Sequence, residues 1–373
     1  MKIRVLFVVS TLKRSGPINQ LFNLLSNLGR FELELVIVTL SQESTDSRWN
    51  DFVSIGVDVR SLNLTRLQSI FLSKAKLQRL VQIIKPDVVH SQGIRADVLN
   101  SFLRGNFIRV CTIHNYPQKD FIKRYGILLG FSMVKLQIGA IKKIEHVIGV
   151  SKSVTNNLKE NFNVKNASSI LNGVDTALFF PLSLERKCEL KAKMGFSEHH
   201  KIWISSGHLS ALKRPEILIE SFLRNKNSFE NDVLVFLGEG ELKEDLERKY
   251  ANASNVLFMG RVHNVVDYLQ ISDYFVSASS TEGLPMAVIE ALSCGLPVLL
   301  SKIEPHKEIV TLDNNIGVIS DNDTDMSQLF VSLAQNDWKS MSHASRALVI
   351  NKLSAEVMGS QYQHLYSKSV QNK

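Results

Sequence analysis

The chain has 373 residues, 44% hydrophobic and 21% charged, with a formal net charge of +8; this is enough material for two globular domains and rules out a disordered or fibrous chain. The charge is uneven: residues 1–180 carry 24 Lys+Arg against 12 Asp+Glu, and the remainder carries 20 against 24. The basic front half suits phosphates or acidic lipid, and nucleic acid is not expected, because no basic run is interleaved with aromatics as a stacking platform.

The opening run, "MKIRVLFVVSTLKRSGP", has too short an apolar core for a signal peptide and is expected to be a buried first strand. Further strands are expected at "ELVIVTL", "VDVRSL", "DVVHS", "RVCTIH", "HVIGV" and "SSIL". Helical patterns separate most of them. In "INQLFNLLSNLG", Leu21, Leu24, Leu25 and Leu28 fall on one face, and "KAKLQRLVQIIK" repeats the rhythm. After "NGVDTALFFPLS" the alternation restarts with strands at "KIWISSG", "DVLVFLG", "NVLFMG", "DYFVSAS", "PVLLS" and "NIGVIS". Helices are expected there at "PEILIESFLRN", "ELKEDLERKYA" and "PMAVIEALS". Strand–helix alternation implies parallel sheets covered on both faces. The expected fold class is therefore α/β, with two doubly wound parallel-sheet domains in series and a central cleft between them. Ligands of such sheets bind beyond the carboxyl ends of the strands.

Cys111, Cys188 and Cys294 stand far apart with no metal-ligand spacing, which fits a reducing, cytoplasmic setting. No segment reaches 18 uninterrupted apolar residues, so no membrane span is expected.

Four stretches carry candidate chemistry. In "SSTEGLPMAVIEALSCGLPVLLS", Pro285 suits the first turn of a helix. The N–H groups of Met286, Ala287 and Val288 then lack intrahelical partners, and with the helix dipole they offer an anion site. Gly283 lets backbone approach a ligand, with Leu284 beside it. Two carboxylates next to an anion site need another purpose. Glu282 and Glu290 suit hydroxyls on either side of a diphosphate, although the spacing equally fits ordinary surface and helix glutamates. In "SSGHLSALKRPEILIESF", a strand end at Gly207 leads through His208, Lys213 and Arg214 into a helix. Cations there oppose the dipole and call for an external anion, or else form a solvated basic turn. "TLKRSGPINQLF" places Gly16 in a strand–helix loop, and "CTIHNY" places His114 at a strand end.

Together these residues resemble glycosyltransferase family 4, the retaining GT-B group also called glycosyl transferases group 1, over nearly the whole chain. "TEGLPMAVIEALSCGLPV" is similar to the family's Glu-x7-Glu signature, "SGHLSALKRPEILIESF" to its diphosphate-binding element, and "FMGRVHNVVDYLQISDYFVSAS" to the segment that cups the base. "ILNGVDTALFFP" resembles the interdomain junction, and "SAEVMGSQYQHLYSKS" the C-terminal helix that returns to the front domain. The resemblance implies an acceptor domain over 1–175 with the helix 355–373, and a nucleotide-sugar domain over 176–354. It implies that Glu282 binds the donor sugar, Glu290 the ribose and Lys213 the diphosphate. Arg261 and Val262 would sit beside the base, Gly16 under the donor, and His114 near the transferred sugar. His208 stands where the family usually has arginine, with Arg214 able to share its task.

The implied reaction is retaining transfer of a hexosyl-type sugar from a nucleotide donor, UDP favoured, with no metal or cofactor. Lys213, Glu282 and His114 are the residues nearest the chemistry. "KDFIKRYGILLGFSMVKLQIGAIKKIEH" sets Lys123, Arg124, Lys142 and Lys143 against an apolar face, which suits anionic lipid or a packed helix with a solvated face. A lipid-linked glycan acceptor at the inner membrane surface follows, as in capsule or O-antigen assembly. A hydrolysing epimerase on the same architecture and a non-catalytic nucleotide-sugar-binding protein are the competing readings. Nothing in the pattern specifies an oligomer.

Overall fold

The computed structural model describes residues 2–29, 32–225, 229–321 and 324–373. The chain divides into two compact units, Met1–Gly173 with Ala355–Lys373, and Val174–Ser354. Each of the thirteen apolar runs forms a strand.

The first unit contains β1 (Ile3–Val9), β2 (Leu33–Ser41), β3 (Asp58–Leu64), β4 (Val88–Gln92), β5 (Ile108–Ile113), β6 (His146–Gly149) and β7 (Ala167–Ser169). All pair in parallel in the order β3-β2-β1-β4-β5-β6-β7. Strands buried on both faces read as continuous apolar runs rather than alternating ones, and every residue of β4 is buried. Leu21, Leu24, Leu25 and Leu28 are 3% exposed or less, packed with Phe7, Ile37 and Phe52 on one face of the sheet. The other face packs Leu6, Val8, Val38 and Val89 against Leu77 and Val81 of the Arg66–Ile84 helix.

That helix begins eight residues before the expected "KAKLQRLVQIIK". Thr65 caps it by accepting from Gln68 N–H while the Gln68 side chain accepts from Thr65 N–H. The terminal helix Ala355–Gln371 belongs to this unit and places Met358, Tyr362 and Tyr366 in its core. The Tyr366 hydroxyl pairs with His90 Nδ1 at 2.7 Å, and the Tyr362 hydroxyl with Thr112 Oγ1 at 2.8 Å. Burial holds His90 down at about 3, so the ring is neutral at pH 7.

The second unit contains β8 (Lys201–Ser206), β9 (Asp232–Leu237), β10 (Val256–Phe258), β11 (Tyr274–Ser277), β12 (Val298–Leu300) and β13 (Gly317–Ile319). They are again parallel, in the order β10-β9-β8-β11-β12-β13. Trp203 anchors the core, stacked on Tyr274 at 4.1 Å and packed on Phe330 at 4.9 Å. Its indole N–H donates to Asp232 Oδ2 at 2.8 Å, so the one polar atom of the ring is satisfied.

Both sheets reverse their winding once, between β1 and β4 and between β8 and β11. At such a switch point the flanking loops diverge and leave a crevice beyond the strand ends.

Candidate functional site

In the second unit, the switch point brings together two of the sequence-predicted loops. β8 ends at Ser206 and runs through Gly207 and Lys213 into the Pro215–Leu223 helix. β11 ends at Ser277 and runs through Glu282 into the Met286–Ser293 helix. The Lys213 ammonium donates to Glu282 Oε1, joining the loops 69 positions apart. Ser279 Oγ donates to the same oxygen at 2.8 Å. Burial would push the Glu282 carboxyl up, but Lys213, His306 and Ser279 together hold it below the usual range. Glu282 is therefore ionised at neutral pH.

Beneath Glu282 lies a layer that local spacing does not reveal. Ser301 Oγ donates to the Ser279 carbonyl at 2.6 Å, and His306 Nδ1 lies 3.0 Å from the Ser301 carbonyl. A carbonyl only accepts, so the proton of the neutral ring is on Nδ1. His306 Nε2 is buried without a hydrogen-bond partner among the described residues, and burial lowers this histidine to about 4. Ser279, Ser301 and His306 are each 1% exposed or less. They hold the backbone under Glu282 in place.

Arg214 is tied to the loop that follows β11. Its Nε donates to the Ala278 carbonyl at 2.6 Å and its Nη2 to the Ser279 carbonyl at 3.3 Å. Its backbone is left-handed, φ 49°, at the cap of the Pro215–Leu223 helix. His208 is largely exposed, with its Nε2 2.9 Å from Glu241 Oε2.

Three glycines shape the rim. Gly207, Gly238 and Gly260 follow β8, β9 and β10 with φ of 149°, 132° and 64°, a region that costs glycine little and other residues much. A Cβ on Gly238 would overlap the Gly207 carbonyl, and one on Gly240 would overlap that of Leu209. Only bare backbone allows the loops to nest this closely. Arg261 is exposed beyond Gly260, its N–H donating to Glu239 Oε1 at 3.2 Å, and Val262 beside it is half-buried.

Pro285 is the N-cap of the Met286–Ser293 helix rather than a residue of its first turn. The first N–H groups, at Met286, Ala287 and Val288, have no intrahelical partner by position. Gly283 and Leu284 are buried below the Glu282 loop. The Glu290 carboxyl, one turn into the helix, pairs with no cation or hydrogen-bond donor among the described residues. Burial raises its carboxyl to about 7.

In the first unit, Gly16 opens the Gly16–Ser26 helix, and an added Cβ there would meet nothing within 4 Å. His114 follows β5 and pairs through Nε2 with Gln92 Oε1 at 3.2 Å. Gln92, at the end of β4, donates to Gln20 in the helix that Gly16 begins. His114, Gln92 and Gln20 thus share one polar network across the switch point. Burial lowers His114 to about 4, which keeps it uncharged at neutral pH. Lys123 and Arg124 close the Pro117–Tyr125 helix, while Lys142 and Lys143 lie past the far end of the Ile127–Ile141 helix. Fifteen helical residues span about 22 Å, so these cations form two groups rather than one patch.

Two family models match the chain: Glycosyltransferase Family 4 over residues 15–178 and Glycosyl transferases group 1 over residues 187–351. An Escherichia coli UDP-Gal:alpha-D-GlcNAc-diphosphoundecaprenol alpha-1,3-galactosyltransferase is 29% identical over 267 residues, 68% of this chain and 67% of that protein. The Escherichia coli O-antigen biosynthesis glycosyltransferase WclY is 21% identical over 98% of both chains. In fold, the chain matches Anabaena Alr3699/HepE, solved with UDP-glucose, at a TM-score of 0.81 and 14% identity over 100% of both chains. It matches a sucrose-phosphate synthase from Thermosynechococcus elongatus at 0.83 and 15% identity over 99% and 100%. With two Rossmann-like parallel sheets and matches to both halves of the chain, this protein is a GT-B glycosyltransferase of family 4, glycosyl transferases group 1.

Proposed function

We propose that the protein moves a hexosyl-type sugar from a nucleoside diphosphate donor, UDP favoured, to a lipid-linked glycan in cell-surface polysaccharide assembly. The observation that carries this reading is the Lys213–Glu282 pair at the β8/β11 switch point. A cation and an ionised carboxylate there are matched to a donor that is anionic at one end and hydroxyl-bearing at the other. Lys213 and the Met286–Ser293 helix N-terminus neutralise charge on the departing diphosphate, and no divalent metal or cofactor is needed for that task. Glu282 accepts hydrogen bonds from the sugar hydroxyls and Glu290 from the ribose. Arg261 and Val262 border the base, and Gly16 and His114 stand at the switch point of the first unit.

Transfer proceeds with retention. The bond from the anomeric carbon to the phosphate oxygen breaks with its electron pair on phosphate. The acceptor oxygen bonds to the same face, and its proton passes to the departing phosphate. The undecaprenyl-linked substrate and the O-antigen role named for two relatives support a lipid-linked acceptor, hence work at the cytoplasmic membrane face.

A thermal-shift panel with UDP, GDP, ADP and CMP tests the donor side. A nucleotide at 100 times its Kd adds about 2.7 kcal/mol of stability. Stabilisation by UDP, followed by EDTA-insensitive turnover of a UDP-sugar to an α-linked product, is expected. Binding of every nucleotide with equal weakness, or release of free sugar without acceptor, would sink the reading.

Glu290 makes nucleotide binding pH-dependent. A ribose hydroxyl donates to the carboxylate, so binding favours the ionised form of a group that titrates near 7. Affinity should rise about tenfold from pH 6 to pH 8. In Glu290→Gln the profile between those values should be flat, as read by calorimetry at each pH.

A further inference from the structure

The Pro117–Tyr125 and Ile127–Ile141 helices form a hairpin whose turn carries an exposed apolar surface. Ile127 is 75% exposed, Leu128 88%, Leu129 57% and Phe131 51%, with Tyr125 at 43%. Four large apolar side chains within five residues are not scattered surface hydrophobics. Contiguous exposed apolar surface marks an interaction site.

The hairpin is held firmly. Gly130 lies against the Ile122 backbone, where a Cβ would overlap it. Gln137, on the same helix, donates to the buried Asp97 at 2.8 Å. The tip is therefore presented as a preformed element.

Its charge is of one sign. No Asp or Glu occurs between Phe121 and Ile144, while Lys123, Arg124, Lys135, Lys142 and Lys143 do. Lys135 Nζ lies 4.7 Å from the Phe131 ring centre and Arg124 Cζ 5.8 Å from that of Tyr125, so the cations border the apolar residues directly. Basic side chains with apolar stems lie along apolar surface and keep their charge at its edge. A second patch shares the edge of the sheet. The Arg66–Ile84 helix leaves the carboxyl end of β3 as the Pro117–Tyr125 helix leaves that of β5, and its first turns expose Leu67 at 75% and Phe71 at 80%. Residues 59–86 likewise contain no Asp or Glu.

We infer that the hairpin tip inserts Ile127, Leu128, Leu129 and Phe131 into an anionic lipid bilayer, with Lys123, Arg124 and Lys135 at the headgroups. A bilayer meets both demands at once, an apolar interior beneath a negatively charged surface. The purpose rests on the lipid-linked acceptor proposed above, but insertion is measured without donor or acceptor.

The experiment is co-sedimentation of the full chain with phosphatidylglycerol-containing vesicles and with neutral phosphatidylcholine vesicles. The wild type should partition at least tenfold more strongly onto the anionic vesicles. Leu128→Ser/Leu129→Ser and Lys123→Glu/Arg124→Glu should each lose that partition at least tenfold, with unchanged circular dichroism and an unchanged nucleotide-induced thermal shift. In Phe131→Trp, the added tryptophan's emission should shift blue on anionic vesicles and be quenched by brominated acyl chains. Wild-type indifference to vesicles, or serine variants that partition like the wild type, overturns insertion. So does a dimer in sedimentation velocity that the serine variant dissociates, since a second copy would then cover the tip. Loss of the nucleotide shift with partition intact would instead remove the donor reading and leave the insertion standing.

Discussion

Lys213→Ala is expected to slow sugar transfer by about 10²–10³-fold, the usual cost of removing one preorganised group that stabilises developing charge. The substitution also strands the Glu282 carboxylate, which is only 15% exposed and retains Ser279 Oγ but loses its cation. Breaking a buried pair from one side costs about 3–5 kcal/mol; with Lys213 about a third exposed, a cost on the order of 2 kcal/mol is expected here. Stability and chemistry are separated by the double variant Lys213→Ala/Glu282→Gln. It removes the stranded charge, so most of the stability should return, while turnover stays low. Denaturant titration and initial-rate kinetics on both variants read the two effects. Recovery of turnover along with stability would mean that Lys213 serves only the fold.

The second large effect is on the backbone. Gly238→Ala should destabilise the second unit by about 3 kcal/mol or more, from left-handed backbone strain together with overpacking. The added methyl would run into the Gly207 carbonyl, and Gly238 N–H holds the Gly260 carbonyl at 2.7 Å. The three strand-end loops cannot all stay in place, so the nucleotide-induced thermal shift should disappear as well. Gly139→Ala is the matched control. It lies exposed in the Ile127–Ile141 helix with nothing within 4 Å of an added Cβ, and it should gain up to about 1 kcal/mol. Equal, small effects at both sites would mean that the close approach at Gly238 is not needed.

Much of this arrangement is readable along the chain, because parallel strands buried on both faces must be uninterrupted apolar runs. "DVLVFL" and "DVVHS" announce β9 and β4 for that reason. The loops that carry Gly207, Lys213 and Glu282 are likewise visible, since each follows the end of such a run. The Thr65–Gln68 capping box was also present in local sequence and would have moved the start of the Arg66–Ile84 helix to its observed place. Gly126, with φ 79°, divides into two helices what reads as one mixed basic and apolar segment.

Other features depend on partners distant in sequence. Ser301 and His306 gain significance only because β12 pairs beside β11 and sets them under Ser279. His208 meets Glu241, and Arg214 meets the carbonyls of residues 278 and 279, because β8 lies between β9 and β11. No periodicity encodes that neighbour relation. Exposure of the hairpin tip is of the same kind: Leu128 and Val134 are both apolar residues of one helix, yet one is 88% exposed and the other 3%. Local sequence sets which segments become strands and helices, through hydrophobic period and capping chemistry. The order in which the strands pair decides which polar side chains meet and which apolar faces stay uncovered, because contact free energy depends on separation in space and not on separation along the chain.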